Sequence, residues 1–290
     1  MTILVTGCNG QLGTELRNRS VRFPHHNWVF ADIVNPDGDT AILDITDETA
    51  VRTLVAEHGI DLIINCAAYT NVDRAEEDEA AAERLNADAV RILGSMPVRM
   101  IHISTDYVFA GEGWIPCRES DPVAPRTAYG RTKLHGEEQL LAVNPTAVIL
   151  RTAWLYSPYG NNFVKTMLKY GRERGQLSVV YDQVGTPTYA GDLAEAILTV
   201  AESQEWKAGV YHFTNEGVCS WYDFTIEILR QAGVACRVEP ILSSQYQYKT
   251  PRPHYSVLDK AKFKAAFDAK IPYWTDGLRR CLEAMNELPK

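Results

Sequence analysis

The sequence opens with M-T-I-L-V-T-G-C-N-G-Q-L-G, residues 1–13, and this stretch decides the fold. A short apolar run at residues 3–5 predicts a buried strand, and the apolar spacing after the glycines predicts a helix. Three glycines lie between them, at Gly7, Gly10 and Gly13. A strand, a glycine turn and a helix N-terminus in this order form a cradle for two phosphates, because the first turn of a helix offers unpaired N–H groups. The stretch therefore predicts a dinucleotide-binding fold.

Each glycine has its own predicted task in this cradle. Gly7 permits the tight turn, Gly10 lets the backbone approach the pyrophosphate, and Gly13 lets the helix pack close to the strand. The spacing is G-x-x-G-x-x-G rather than G-x-G-x-x-G, and glycine turns also occur for steric reasons, so the stretch alone is a moderate signal. The cofactor contacts predicted here are Gly7, Asn9, Gly10, Gln11, Leu12 and Gly13.

Composition limits the class of protein. The chain has 290 residues, of which 46% are apolar and 23% charged, as is ordinary for a globular protein. Its net charge of −8 disfavours nucleic acid and anionic membranes as partners, because both attract a basic face. No apolar run approaches the length of about 18 residues that a membrane-spanning helix needs. Met1 leads directly into the first predicted strand, so we expect no targeting segment and a cytoplasmic protein.

The spacing of cysteine and histidine gives no metal motif. The six cysteines include no C-x-x-C pair, which favours free thiols in a reducing compartment. The seven histidines are scattered, and only His25 and His26 are adjacent. Neither has an acidic or cysteine companion close by in the sequence. A surface loop is therefore expected at this pair, and the sequence predicts no metal site.

Apolar strands alternate with amphipathic helices through the first half of the chain. Strands are predicted at 28–31, 61–65, 100–104 and 147–150, and helices at 47–58 with Thr46 as N-cap, at 73–93 and from residue 128. This alternation predicts an α/β fold with a doubly wound parallel sheet, Rossmann-like, over residues 1–156. Residues 157–290 are predicted to form mainly a smaller C-terminal substrate-binding lobe. Within it, 190–215 is expected to return to the first domain through a strand at 209–214.

Residues after the strand ends extend the predicted cofactor site. Asp32 follows the second strand, 25 residues after Gly7, where a dinucleotide fold places the acid that binds the adenosine ribose. A turn acid at a strand end is the alternative. An acid here favours NADH without excluding NADPH, since nearby Arg or Lys side chains can hold a 2′-phosphate. Further cofactor contacts are predicted at Asp44, Ile45, Ala67, Ala68 and Tyr69.

A Y-x-x-x-K spacing at Tyr129 and Lys133 supplies the candidate chemistry. On a helix these two residues share a face. A neighbouring ammonium is expected to lower the pKa of the tyrosine from near 10, which makes the pair a general acid–base for a carbonyl/alcohol couple. Thr105, just past the fourth strand, lies where it can hold the carbonyl oxygen. Each signal alone occurs by chance, and the order of glycine turn, threonine and Y-x-x-x-K carries the prediction.

Several blocks of the chain together resemble one enzyme family. They are I-S-T-D-Y-V-F at 103–109, Y-G-R-T-K at 129–133, R-T-A-W at 151–154, G-N-N-F at 160–163, D-Q-V-G-T-P-T at 182–188 and R-P at 252–253. The sequence resembles the dTDP-4-dehydrorhamnose reductase branch of the extended short-chain dehydrogenase/reductase family, over essentially the whole chain. The resemblance implies reduction of a dTDP-linked 4-keto sugar to dTDP-L-rhamnose, a cell-wall sugar donor, with NADPH or NADH as hydride source.

The resemblance also implies roles for individual residues. Tyr129 would protonate the developing alkoxide, Lys133 would tune Tyr129 and bind the nicotinamide ribose, and Thr105 would hold the keto oxygen. Trp154 would contact both the cofactor and the substrate. The implied substrate contacts are Thr105, Asp106, Tyr107, Trp154, Asn162 and Arg252. The alternatives are a core aromatic for Trp154, a turn residue that starts a helix for Asn162 and an ordinary surface arginine for Arg252.

One feature of the family is not matched. Some members bind magnesium through an acidic cluster at a dimer contact, and Glu15 matches one ligand position. The partner segment has Gly191 where an acid is expected, so no metal is predicted there. A homodimer remains an expected assembly.

Two rival functions stay open at this point. A sugar-nucleotide dehydratase or epimerase shares the fold, but a dehydratase commonly carries an Asp-Glu pair after the threonine, and here Asp106 is followed by Tyr107. The second rival is a non-catalytic NADP-binding subunit that resembles the regulatory partner of methionine adenosyltransferase. The intact Thr105, Tyr129 and Lys133 argue against it.

Overall fold

The first strand lies in the middle of the sheet and is buried on both faces. The computed structural model describes residues 1–35 and 38–289, so Lys290, the last residue of the predicted second lobe, lies outside them. Ile3 and Val5 pack into one hydrophobic cluster and Leu4 into another. Successive side chains of a strand point to opposite faces, so a continuous apolar run fits a sheet that is covered on both sides.

Thirteen strands are found in the described residues. They are β1 (Thr2–Thr6), β2 (Asn27–Asp32), β3 (Ala41–Ile42), β4 (Leu62–Asn65), β5 (Arg99–Thr105), β6 (Val148–Thr152), β7 (Leu155–Tyr156), β8 (Gln176–Val180), β9 (Val184–Gly185), β10 (Thr188–Tyr189), β11 (Gly209–His212), β12 (Cys219–Ser220) and β13 (Arg237–Ile241).

Eleven α-helices are found in the same ranges. They are α1 (Gln11–Ser20), α2 (Glu48–His58), α3 (Val72–Glu77), α4 (Glu79–Glu83), α5 (Ala89–Gly94), α6 (Ala128–Val143), α7 (Phe163–Arg174), α8 (Ala190–Ala201), α9 (Trp221–Gln231), α10 (Ala261–Phe267) and α11 (Trp274–Ala284).

Seven of the described strands form one parallel sheet in the order β3-β2-β1-β4-β5-β6-β11. The prediction of a doubly wound parallel sheet is therefore confirmed. The chain order reverses between β1 and β4, and ligands of such sheets bind in the crevice at that point. The strand expected at 209–214 is β11, and it extends the main sheet by pairing with β6.

The second half of the chain builds its own core beside the strand ends. Tyr156, Phe224 and Trp274 are buried there together with apolar residues of α7, α9 and α11. Two-stranded pairings of β7 with β10, β8 with β13 and β9 with β12 frame this lobe. The division at residue 156 stays a prediction. In the described part of the chain no helix is both long and apolar enough to cross a membrane. All six cysteines are free thiols, as predicted.

Two local predictions are wrong. The N-cap of α2 is Asp47, not Thr46, because the Asp47 carboxylate accepts the N–H of Ala50 while the Thr46 hydroxyl donates to Asp44. The helix expected over 73–93 is interrupted, first at Asp78, whose backbone leaves helical geometry, and then by a π-helical turn at Arg84–Asp88. That turn brings the Asn86 amide to the backbone of Tyr69 and to the Thr132 hydroxyl.

Candidate active site

A cavity of about 790 Å³ opens at the carboxyl ends of the central strands, which is a normal size for a ligand site. Sixteen of the residues predicted for the site line it. They are Gly7, Asn9, Gly10, Gln11, Leu12, Asp32, Asp44, Ile45, Ala67, Ala68, Thr105, Asp106, Tyr107, Tyr129, Lys133 and Trp154. Residues from seven different parts of the chain thus meet at the predicted edge of the sheet.

Four residues predicted for the site do not line the cavity. Gly13 lies beneath the turn, and the backbone of Tyr69 is hydrogen-bonded to Asn86. Asn162 caps α7 by accepting the N–H of Lys165, so it does start a helix, and its amide donates to Gln11 Oε1 over 3.0 Å. Arg252 pairs with Asp73 over 2.9 Å.

The cavity also has lining residues that sequence reasoning missed. They are Ile33, Leu43, Cys66, Thr70, Val72, Leu85, Ile103, Ser104, Thr152, Ala153, Leu155, Gly160 and Asn161. Most of them end or follow a parallel strand, so the strand-end rule already used for Thr105 was a sufficient signal. Leu85 had no such signal, because it lies in the π-helical turn.

The glycine turn fits a dinucleotide. Gly7 has a φ of +64°, a left-handed conformation that other residues adopt at a cost. A Cβ on Gly13 would lie 2.3 Å from the Gly7 carbonyl oxygen, so only glycine lets α1 pack this close to the turn. α1 begins at Gly10 with no side-chain cap and no acidic residue in its first turn. Its first-turn N–H groups are therefore open to an anion such as a pyrophosphate.

Two carboxylates line the cavity at or just beyond the ends of their strands. Asp32 accepts the backbone N–H groups of Asn9 (3.0 Å) and Ile33 (2.8 Å), which fixes the acid at the end of β2. Asp44 accepts from the hydroxyl and the N–H of Thr46, and these bonds lower the pKa of its carboxyl. Both acids are held in place before any ligand binds.

Tyr129 and Thr105 meet at the inner end of the cavity. A hydrogen bond joins their side chains, and the Thr105 hydroxyl also donates to Asp106 over 3.0 Å. Burial raises the pKa of Tyr129 to about 12, and the bond to Thr105 offsets only part of that rise. The pKa of Tyr129 is therefore raised where the Y-x-x-x-K pattern predicts a lowered value, because desolvation of the buried phenolate outweighs the interactions that oppose it. Tyr129 is a phenol that keeps its proton.

Lys133 is held by a buried polar network below the cavity. Its Nζ donates to the carbonyl oxygen of Ile103 (2.7 Å) and lies 3.2 Å from Nε2 of His102. The Nδ1 atom of His102 lies 3.1 Å from Nδ2 of Asn65. Burial lowers the pKa of Lys133 to about 8 and that of His102 well below its usual value. No sequence pattern pointed to His102, because its partners Asn65 and Lys133 come from other elements.

Two further polar side chains face the same end of the cavity. Burial raises the pKa of Asp106 to about 7, although the Thr105 hydroxyl opposes this. Burial also raises the pKa of Tyr107, whose ring packs edge-on against Tyr129 at 5.4 Å. The positive charge of the Arg252 guanidinium acts in the opposite direction. Arg252 thus lies behind Tyr107, which lines the cavity, and does not line the cavity itself.

Trp154 lies both in the cavity wall and in the core of the second lobe. Its backbone adopts a φ of +50°, and its ring stacks on Trp221 with the centroids 3.4 Å apart. A Cβ on Gly185 would meet this ring at 2.6 Å, so the glycine makes room for the tryptophan. Strained backbone held by packing is common at ligand sites.

The magnesium site of some relatives does not fit this chain. The carboxylate of Glu15 is paired with the guanidinium of Arg19. Nη2 of Arg19 lies 2.4 Å from the position that a Cβ on Gly191 would take. The arginine therefore occupies the space beside Glu15 with its own positive charge.

Comparisons with known proteins agree with this geometry. The family model described as RmlD substrate binding domain matches residues 1–287. A probable dTDP-4,6-dihydroxy-2-methyloxan-3-one 4-ketoreductase from Streptomyces antibioticus is 42% identical over 96% of this chain and 94% of its own. The structure of a dTDP-4-dehydrorhamnose reductase from Clostridium acetobutylicum is 40% identical, covers 99% of this chain and 100% of its own, and has a TM-score of 0.91. A Bacillus anthracis dTDP-4-dehydrorhamnose reductase in complex with NADP is 34% identical, with 98% and 99% covered and a TM-score of 0.89.

Proposed function

The chain belongs to the RmlD substrate binding domain family, and we propose from this that it reduces the 4-keto group of dTDP-4-dehydro-L-rhamnose to give dTDP-L-rhamnose. It is an NAD(P)H-dependent oxidoreductase of nucleotide-sugar biosynthesis. Relatives and solved structures named for this reaction or for a dTDP-sugar 4-ketoreduction match nearly the full chain, and one of them binds NADP.

One arrangement supports this function above the others. Thr105 and Tyr129 are hydrogen-bonded at the inner end of a cavity whose outer end is the glycine turn. A dinucleotide whose pyrophosphate lies on α1 can therefore place its nicotinamide beside Tyr129. The fit of the turn rests on the open first turn of α1 and on the close packing at Gly13.

The residues of this chain divide the reaction between them. When bound, the cofactor supplies a hydride to C4 of the sugar. Thr105 holds the keto oxygen, and Tyr129 gives its proton to that oxygen as negative charge develops on it. The positive charge of Lys133 stabilises the phenolate left behind. Its Nζ is held in place by the hydrogen bond that it donates to the carbonyl oxygen of Ile103. A solvent proton then restores Tyr129.

The residue after Asp106 favours reduction over dehydration. A reductase needs Tyr129 as a proton donor, and its raised pKa of about 12 leaves the proton on the phenol at neutral pH. A dehydratase commonly carries an Asp-Glu pair after the threonine, and here Asp106 is followed by Tyr107. One proton-transfer group of a dehydratase is therefore missing, as suits simple reduction.

Further roles complete the proposal. The first turn of α1 would hold the pyrophosphate, Asp32 and Asp44 would hold the adenosine ribose, and Trp154 would contact both cofactor and sugar. Tyr107, Asn162 and Arg252 bind the sugar nucleotide. A buried Nη1 atom of Arg252 has no hydrogen-bond partner among the described residues, which suits a diphosphate ligand. A cytoplasmic location, a homodimer and a substrate lobe from residue 157 belong to the same proposal.

The absorbance of NAD(P)H tests this function. Purified protein is mixed with dTDP-4-dehydro-L-rhamnose and with NADPH or NADH in turn, and the decrease at 340 nm is followed. We expect one equivalent of cofactor to be oxidised for each equivalent of sugar. If neither NADPH nor NADH is oxidised, the proposed reaction is rejected and a non-catalytic binding protein is favoured. If the sugar is converted without net oxidation of the cofactor, an epimerase or dehydratase is favoured.

A further inference from the structure

A histidine pair that looked solitary in the sequence has an acidic partner in space. His25 and His26 lie in the loop between α1 and β2, and Glu202 lies at the C-terminal end of α8, 176 residues after His26. Nε2 of His25 lies 3.2 Å from Oε2 of Glu202, and Nε2 of His26 contacts Oε1. The pair therefore has in space the acidic companion that it lacks in the sequence.

We propose that His25, His26 and Glu202 form a binding site for a divalent late transition-metal ion, with Zn²⁺ as the best match. The candidate ligand atoms of the three residues lie within 4.8 Å of one another, and this is the only such group in the described residues. Zinc prefers imidazole and carboxylate ligands, and two histidines with one glutamate leave a fourth position for water.

The loop that carries the histidines is held before any ion binds. The backbone N–H of His26 donates to the carbonyl oxygen of Phe23, and the indole of Trp28 donates to the same oxygen. The ring of His26 packs edge-on against Trp28 at 5.9 Å and its side chain is only 6% exposed. The His25 ring packs at 4.1 Å from the His26 ring. The two imidazoles therefore present themselves as a pair rather than as two mobile surface groups.

The charge around the three residues permits a cation. The carboxylate of Glu202 contacts both rings, and its side chain is about one-third exposed, so an ion can reach it. The nearest arginine of the loop, Arg22, is paired with Glu195 and lies over the Phe23 ring. Its charge is thus balanced locally and is directed to another acid.

A bound ion would join two elements that are far apart in sequence. The α1–β2 loop and the end of α8 lie on the same face of the sheet, where α1 and α8 pack against each other. An ion that bridges His25, His26 and Glu202 fastens this face. The site shares no residue with the cavity, so its expected effect is on stability and not on turnover.

Zinc titration tests the proposal. The chain, free of any histidine tag, is titrated with ZnCl₂ by calorimetry and its melting temperature is followed in parallel. We expect about one equivalent to bind with a rise in melting temperature. His25→Ala and Glu202→Gln, both at exposed or half-exposed side chains, should each weaken binding at least about tenfold, since even the outer partners of metal ligands cost 10–100-fold.

A matched control is available on another helix. His135 is exposed and pairs with Glu83 over 3.0 Å, so it is a His–Glu contact that lacks a second histidine. His135→Ala should bind zinc as the wild type does. X-ray absorption at the zinc edge should show nitrogen and oxygen ligands with Zn–N near about 2.0 Å.

Three results would overturn the proposal. One is no binding by the wild type, and another is equal binding by the wild type and the two site variants. The third is an absorption spectrum with sulfur ligands, which would move the ion to one of the six thiols. Because binding and melting are measured without the sugar substrate, none of these results bears on the proposed reaction.

Discussion

Tyr129 keeps its proton because burial in the cavity wall disfavours the phenolate. The hydrogen bond to Thr105 acts against that effect without reversing it. The tyrosine is therefore a neutral phenol at neutral pH and can donate its proton. It lies beside Thr105, the residue proposed to hold the keto oxygen. Its helix partner Lys133 is occupied with Ile103 and His102, which no spacing rule reveals.

Replacement of this tyrosine separates chemistry from binding. Tyr129→Phe removes the proton donor and keeps the ring in its packing against Tyr107. We expect kcat to fall by about 10²–10⁴-fold, the usual contribution of a general acid, while NADPH affinity in a fluorescence titration stays nearly unchanged. Full turnover by the variant would contradict the role given to Tyr129. A matching loss of cofactor binding would indicate a damaged site instead.

His102 links the charge of Lys133 to the orientation of an amide. Oδ1 of Asn65 accepts from the Ala67 N–H and the Thr6 hydroxyl, so the Asn65 amide nitrogen faces Nδ1 of His102. The ring hydrogen then lies on Nε2, toward Lys133. This arrangement suits a neutral amine, because an ammonium has no lone pair to accept that hydrogen.

The pH profile tests this link. Lys133 is charged below its pKa of about 8 and loses its proton above it, so kcat/KM should fall as pH rises through about 8. His102→Gln offers the ammonium an acceptor oxygen and should move this fall to higher pH. His135→Gln is the control, because His135 is exposed and lies on α6, the helix that carries Lys133. This variant should leave the profile unchanged. An identical alkaline limb in His102→Gln and wild type would disprove the coupling.

At the scale of elements, the strand–turn–helix at the start of the chain could be predicted almost completely. The glycines follow from the close approach of backbone to backbone, which is visible as a spacing. The Y-x-x-x-K pair was predictable for the same reason, since α6 places both residues on one face. The π-helical turn of residues 84–88 was not predictable, because it depends on Asn86 reaching Tyr69 and Thr132 on other elements.

Two glycines of the turn should respond differently to alanine. A Cβ on Gly13 would lie 2.3 Å from the Gly7 carbonyl oxygen, so Gly13→Ala must push α1 away and should cost about 1–3 kcal/mol of stability. A Cβ on Gly10 would lie 3.3 Å from the Gly7 carbonyl oxygen, a tight contact that a shift of a few tenths of an ångström relieves, and Gly10 already has a φ of −74°. Gly10→Ala should therefore fold normally.

Cofactor binding completes the comparison of these two variants. Gly10 lines the cavity, so its alanine variant should bind NADPH more weakly at nearly unchanged stability. Thermal melting and NADPH titration of both variants measure the two effects separately. Equal stability of the two variants would show that glycine at position 13 is not needed for packing. Normal NADPH affinity of Gly10→Ala would contradict the proposal that the pyrophosphate binds at this turn.

At the scale of the whole molecule, the topology of the parallel sheet brings the site residues together. Parallel strands bring Gly7, Asp32, Ala67, Thr105 and Trp154 to one edge although they are spread over 148 positions of the chain. Their convergence could be predicted, because it follows from strand direction alone. The meeting of His25 and His26 with Glu202 could not, because it depends on how α1 and α8 pack.

The second lobe was predicted in outline only. One alternative given for Asn162 was a turn residue that starts a helix, and it is the N-cap of α7. The pairing of β8 with β13 and the helix α10 went unpredicted, because short segments with weak periodicity gain their structure from contacts with the rest of the lobe.

The transfer of deuterium tests the central claim most directly. The protein is given dTDP-4-dehydro-L-rhamnose and NADPH that carries deuterium at both C4 positions of its nicotinamide, and the sugar product is examined by NMR and mass spectrometry. The account predicts one deuterium per product molecule, located at C4 of the sugar. A product that carries no deuterium, or carries it at another carbon, would contradict it.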